Sequence, residues 1–155
     1  MVDEKYSFLK NPLNLPAGNF KLEEEKGRLN VFDPLRKKFL VLTPEEWVRQ
    51  HLIHYLVTWK NYPKSLFSLE RGLKYNRVNK RFDILVLNRR GDPFLLIECK
   101  APEVKLTQKT VEQVCVYNKS IGAEYIAISN GIQHICLFFD PKKEAYQQIR
   151  EFPVF

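Results

Sequence analysis

The stretch Arg81–Pro102, RFDILVLNRRGDPFLLIECKAP, decides how this chain folds. It holds two apolar runs, Ile84-Leu85-Val86-Leu87 and Phe94-Leu95-Leu96-Ile97, joined by Arg89-Arg90-Gly91-Asp92. Runs of this kind read as buried strands, here at about 82–88 and 93–100, and the short Gly-containing connection predicts an antiparallel hairpin. Charges stand at the strand ends: Asp83 opens the first run, and Glu98 and Lys100 close the second. Alternate side chains of a strand share a face, so Glu98 and Lys100 point one way and Cys99 the other. Pairing across the loop lays the start of the first strand beside the end of the second. It thereby brings Asp83 towards Glu98 and Lys100.

The flanking sequence supplies helices and further strands. Upstream, Thr43-Pro44-Glu45-Glu46 is a helix start, with Thr as N-cap, Pro at the first position and an acid at the third. Val48, Leu52, Tyr55, Leu56 and Trp59 then recur at helical spacing, which predicts a helix over about 44–60. A short strand is expected around 66–71, then a basic connection over 74–81. Downstream, Thr107 caps a second helix that Gly122 stops, and Asn130-Gly131 turns between strands at about 124–129 and 133–139. Residues 29–33 and 38–42 flank a basic tip and suggest a hairpin, whereas residues 1–28 have no period and read as an irregular arm. The tail from Asp140 is mixed. The predicted fold is α/β (α+β), a central mixed β-sheet flanked by helices, with an N-terminal hairpin and arm. Residues 29–155 would form one domain.

Composition narrows the class. The 155 residues are 45% hydrophobic and 28% charged, which is ordinary for a globular protein. No apolar run is long enough to span a membrane, and the N-terminus lacks a secretory core, so a cytoplasmic protein without membrane partners is expected. The cysteines Cys99, Cys115 and Cys136 sit singly in apolar patterns and predict reduced core thiols. His51, His54 and His134 have no zinc spacing. The net charge of +7 favours a polyanionic partner, nucleic acid first among them.

Two carboxylates brought to one spot repel each other, and a divalent cation resolves the repulsion. Asp83 and Glu98 are therefore candidate ligands for Mg²⁺ or Mn²⁺. Lys100 beside them can position a water or steady charge on a phosphoryl oxygen. Metal, water and lysine together suit phosphodiester hydrolysis.

Asp83 followed by Glu98-Cys99-Lys100 resembles the D…ExK signature of the PD-(D/E)xK nuclease superfamily, with Phe82 where that pattern often has proline. The wider chain, over roughly residues 43–139, resembles the N-terminal nuclease domain of type I restriction enzyme R subunits. The resemblance rests on Thr43-Pro44-Glu45-Glu46-Trp47-Val48-Arg49-Gln50, Arg81-Phe82-Asp83-Ile84-Leu85-Val86, Leu96-Ile97-Glu98-Cys99-Lys100-Ala101-Pro102, and Gln113…Tyr117 followed by Ser129-Asn130-Gly131. It implies a restriction-endonuclease-like core and a metal-dependent deoxyribonuclease. It adds Gln113 and Tyr117, one turn apart on the second helix, as supporting site residues. It also implies an acid from the first helix. The helical wheel selects Glu45, which borders the apolar stripe, and puts Glu46 on the far side.

Basic residues near the turns, Arg77, Lys80, Arg81, Arg89 and Arg90 above all, suit contacts to the nucleic-acid backbone. Type I R subunits carry a motor, but no Walker Gly-Lys-Ser/Thr loop is present here. The chain is expected to act alone, as a homodimer or within a larger assembly. Two other readings compete with catalysis: a nucleic-acid-binding module that does not cut, and an interaction or regulatory subunit docking through its arm. Each site residue also has an ordinary structural role open to it. Asp83 could accept hydrogen bonds at a strand start, Glu98–Lys100 could be a surface pair, and Glu45 and Glu46 suit a helix dipole.

Overall fold

The computed structural model describes residues 4–69 and 82–155. Its centre is a mixed five-stranded sheet in the order β4-β5-β6-β7-β8. The strands are β4 (Ile84–Leu87), β5 (Pro93–Cys99), β6 (Tyr125–Ser129), β7 (His134–Asp140) and β8 (Ala145–Ile149). β4 and β5 form the expected antiparallel hairpin, with Ile84 opposite Ile97 and Leu85 opposite Leu96. β5 and β6 run parallel, and α2 (Gln108–Ile121) crosses between them. Three strands, β1 (Leu22–Glu25), β2 (Arg28–Asp33) and β3 (Lys38–Val41), make a separate antiparallel sheet before α1 (Pro44–His54).

The capping chemistry holds at both helices. Thr43 accepts from the Glu46 N–H at 3.0 Å, and Thr107 from the Thr110 N–H at 3.2 Å. Gly122 ends α2 at φ +78°, a conformation that favours glycine. α1 continues through a π-helical turn, Tyr55–Trp59, and its apolar stripe meets one face of the large sheet: Val48, Leu52 and Leu56 pack with Ile84, Val86, Leu95 and Ile97. On the other face Val114, Tyr117 and Ile121 of α2 pack with Leu85, Leu96, Ile126 and Ile128. Each such side chain, buried from both sides, contributes about 1.5–3 kcal/mol of transfer free energy. Cys99, Cys115 and Cys136 are free thiols, the first and last buried.

Three expectations need correcting. Residues 1–28 are not an irregular arm throughout: Glu4–Lys10 forms 3₁₀ turns and β1 adds a third strand to the hairpin. Tyr6 and Phe8 are buried with Val31 and Leu42, and the Asn14 N–H donates to the Gly131 carbonyl at 2.8 Å, so this segment is packed on the body. The tail after Asp140 contains β8, paired to β7. Instead of a strand from residue 66, Lys64–Leu66 is a 3₁₀ turn, and Phe67 makes a single bridge to Val86. Both missed strands lie at sheet edges with mostly exposed side chains, so no alternation of apolar and polar residues marks them. Glu70 and the basic connection 74–81 lie outside the described residues.

Candidate active site

Continuing the β4–β5 register by one residue sets Asp83 directly opposite Glu98. Opposed residues of an antiparallel pair share a face, with Cβ atoms about 4.5–5.5 Å apart. That face belongs to α2, because Leu85 and Leu96 lie on it and Ile84, Ile97 and Cys99 on the other. Lys100 follows on the same face as Glu98, and its ammonium lies 3.5 Å from Glu98 Oε1. The Glu98 side chain keeps 17% of its surface exposed and Lys100 34%, so the pair is sheltered yet open to a ligand. Lys100 is held by its backbone: its N–H donates to the Ser129 carbonyl at 2.8 Å, extending the parallel ladder past the end of β5.

Asp83 is held from two sides. The Cys99 N–H donates to its Oδ2 at 2.7 Å, and Arg49 Nε donates to its carbonyl oxygen at 2.9 Å. Arg49 is buried at 5% exposure. Its Nη1 bonds Asp33 Oδ2 at 3.1 Å and Glu46 Oε2 at 2.9 Å. Asp33 is fully buried at the end of β2 and also bonds Arg36 at 3.0 Å. Burial pushes the Asp33 carboxyl up, but the Arg49 charge and three hydrogen bonds, from Arg49 and from the Arg36 and Leu35 N–H groups, more than offset this and hold it below its ordinary value. Burial lowers Arg49 in turn, and Glu46 with Asp33 more than restores it. Sequence reasoning missed Arg49 and Asp33 as supports of the site. The available signal was an arginine inside the apolar α1 stripe and an Asp-Pro at a strand end.

The same network engages one of the two acids of the first helix. Glu45 is exposed, whereas Glu46 bonds both Arg49 and Gln50 and lies towards the site. The helical wheel, drawn for an apolar inner face, did not foresee the bonds of Glu46, because this face carries the buried polar pair Arg49 and Gln50.

Tyr117 is buried on the face that carries the two acids. Its hydroxyl is pushed up to about 12 by burial, then by the Glu98 and Asp83 charges, which places all three in one electrostatic neighbourhood. Gln113 stands one turn earlier and is exposed. Arg89 and Arg90 do not border the acids. They sit in the turn at the opposite end of the hairpin, about 15 Å away at 3.3 Å per residue. There Arg89 lies 5.3 Å from the Phe155 ring and Arg90 lies 3.9 Å from Asp92. Arg77, Lys80 and Arg81 lie outside the described residues.

The donor set suits a hard divalent cation. Two carboxylates stand at adjoining strand ends, and Mg²⁺ is commonly held by one or two acids with water and phosphate completing its shell. Among the described residues no cluster of three His, Cys, Asp or Glu forms a closed metal cage. The histidines are engaged elsewhere: His51 is buried with its Nδ1 on the Trp47 carbonyl, and His134 bonds Ser129 and the Asn14 carbonyl.

A mixed five-stranded sheet between two helices, with two acids and a lysine where its first two strands meet, has the form of a nuclease-like core. The family model described as type I restriction enzyme R protein N terminus (HSDR_N) matches residues 44–153, and the chain belongs to that family. The match begins at the first residue of α1 and runs past β8, so it takes in the whole large sheet and leaves out the small one. No curated protein matches the chain.

Proposed function

We propose that this chain is a metal-dependent nuclease that hydrolyses phosphodiester bonds of DNA. The observation that carries the reading is the β4–β5 register, which carried one residue past Ile84 and Ile97 sets Asp83 opposite Glu98, with the Lys100 ammonium 3.5 Å from Glu98. Asp83 and Glu98 would hold Mg²⁺ or Mn²⁺. Such a cation, when bound, supplies charge to a phosphate oxygen and makes a bound water more acidic. Lys100 steadies the scissile phosphate or orients the attacking water, and Glu98 keeps its ammonium at the site. Tyr117 remains a neutral hydroxyl donor far above neutral pH. Gln113, one turn away and exposed, is placed to touch the nucleic acid. Arg49 and the Cys99 N–H keep the Asp83 backbone and carboxylate in position. Arg77, Lys80 and Arg81 immediately precede Asp83 in the chain and suit contacts to backbone phosphate.

Plasmid and oligonucleotide cleavage in Mg²⁺, with EDTA and with Asp83→Asn, tests the proposal. The Asn variant keeps an acceptor for the Cys99 N–H and removes the charge. Cleavage that needs added Mg²⁺ and disappears in the variant is the expected result. DNA binding without cleavage in either Mg²⁺ or Mn²⁺ would move the protein to the non-cutting class.

A further inference from the structure

We propose that the cavity between the N-terminal segment, the small sheet and α1 is a nucleotide-binding site, separate from the acids of the large sheet. The cavity has a volume of about 180 Å³. Sites for drug-sized ligands run to about 300–1,000 Å³, so this one suits a single planar base. Gln50 is the most buried of its lining residues, at 1% exposure. Its Nε2 donates to Glu46 Oε2 at 2.9 Å, and a carboxylate only accepts, which fixes the orientation of the amide. Oε1 is left as the open acceptor, since no described residue donates to it. Buried polar side-chain atoms are as a rule hydrogen-bonded, and a ligand N–H entering the cavity would supply the partner.

The outer part of the cavity is cationic. Lys21, His54 and Lys64 line it, and no acid does. Both lysines are exposed, and neither makes an ion pair with a described residue. Lys21 is nevertheless held, with its ammonium 5.7 Å from the Phe32 and Phe39 rings and its carbonyl accepting from the Phe32 N–H at 2.9 Å. Between the acceptor and the lysines stand the half-buried rings of Phe20 and Phe32. Phe20 is fixed by Trp47 and His51, at ring-centroid distances of 5.1 and 4.5 Å. Aromatic rings are stacking surfaces for bases of any sequence. A matching ligand therefore has an N–H at its inner end, a flat body and an anion at its outer end. A nucleotide combines these in that order: the base edge for Gln50, the ring for the phenylalanines, the phosphate for Lys21 and Lys64. Walls already held in place reduce the ordering that binding requires. A free nucleotide and one nucleotide of a strand present the same chemistry.

Titration calorimetry of the full chain in EDTA, with circular dichroism to verify folding, provides the test. The probes are the common deoxynucleoside monophosphates, a single-stranded oligonucleotide of mixed sequence, and phenyl phosphate, which has the ring and the anion but no N–H. At least one monophosphate should bind about tenfold or more tightly than phenyl phosphate. Gln50→Met should weaken that binding about tenfold, as should Lys21→Met combined with Lys64→Met. Thr58→Trp, which fills the cavity from an exposed position, should abolish it. Binding of the oligonucleotide alone, weakened by the same variants, would assign the site to a nucleotide within a strand and also supports the proposal. No binding of any nucleotide probe overturns it, as does binding that ignores all three variants or phenyl phosphate bound as tightly as the nucleotides. The assay contains no metal and leaves Asp83, Glu98 and Lys100 intact, so its outcome is independent of the nuclease reading.

Discussion

Replacing Arg49 with Ala tests the support beneath Asp83. The substitution removes a guanidinium that is 5% exposed and joins three groups: Asp33 at 3.1 Å, Glu46 at 2.9 Å and the Asp83 carbonyl at 2.9 Å. Breaking a buried charge network by removing one partner costs about 3–5 kcal/mol. Asp33 keeps Arg36 and two backbone N–H donors, so the lower end, about 3 kcal/mol, is expected. Urea unfolding followed by circular dichroism at neutral pH measures it. The effect should also depend on acid. Asp33 has its carboxyl lowered in the folded state, so its contribution is present above the ordinary carboxylate value and is lost as pH falls through the folded one. The gap between wild type and variant should therefore narrow below about pH 4. Arg49→Lys retains charge but not the fork that reaches several acceptors at once, and should fall between the two. A loss under about 1 kcal/mol for Arg49→Ala, in the range of an exposed pair, would refute the buried-network argument.

Three further outcomes follow from the site. The Glu98 and Asp83 charges help hold the Tyr117 hydroxyl near 12, so Asp83→Asn should lower its midpoint in an ultraviolet titration, and Tyr117→Phe should remove that step while the still higher Tyr62 step stays. In the absence of metal, the stability tied to this hydroxyl is complete below the ordinary tyrosine value of about 10 and should be lost as pH rises towards 12. Lys100→Met should abolish cleavage but change stability by no more than about 1 kcal/mol, because its partnership with Glu98 is partly solvated. Arg89→Ala with Arg90→Ala should leave the cleavage rate at saturating DNA unchanged, since both stand at the far end of the hairpin, and should make the salt dependence of affinity shallower by at most about two phosphates' worth.

The large sheet was legible wherever burial leaves a pattern. β4 and β5 carry unbroken apolar runs, α1 and α2 carry caps and stripes, and the turn at Asn130-Gly131 carries its own chemistry: Asn130 Oδ1 accepts from the Ile132 and Gln133 N–H groups at 2.9 and 2.7 Å. β1 and β8 left no such mark because an edge strand with exposed side chains is held by its backbone ladder. At the site, the placing of Asp83 opposite Glu98 could be foreseen from the hairpin. The Arg49 network could not, because it depends on Asp33 arriving from a different sheet. Glu45 was preferred over Glu46 for the same reason: a rule for apolar faces cannot register a buried salt bridge on that face. Arg89 and Arg90 are near the acids in sequence, but an antiparallel hairpin sends its turn to the opposite end.

The docking of the N-terminal segment has a consequence for the order in which a growing chain can be finished. His134 Nε2 meets the Asn14 carbonyl across 120 residues, and Leu13 fills the space at Gly131, where even an added Cβ would come within 3.0 Å of it. The other end is fastened in a similar way, with the Tyr62 hydroxyl donating to the Pro153 carbonyl across 91 residues. During synthesis the first segment therefore leaves the ribosome long before β6 and β7 exist to receive it. Tyr6 and Phe8 can pack early on Val31 and Leu42, but Leu13 must wait, exposed, through the production of most of the chain. Contacts so distant in sequence form late and at a high cost in loop closure. The two ends thus act as fasteners applied after the sheet is assembled, and a nascent chain stalled before residue 131 would present that apolar segment to chaperones.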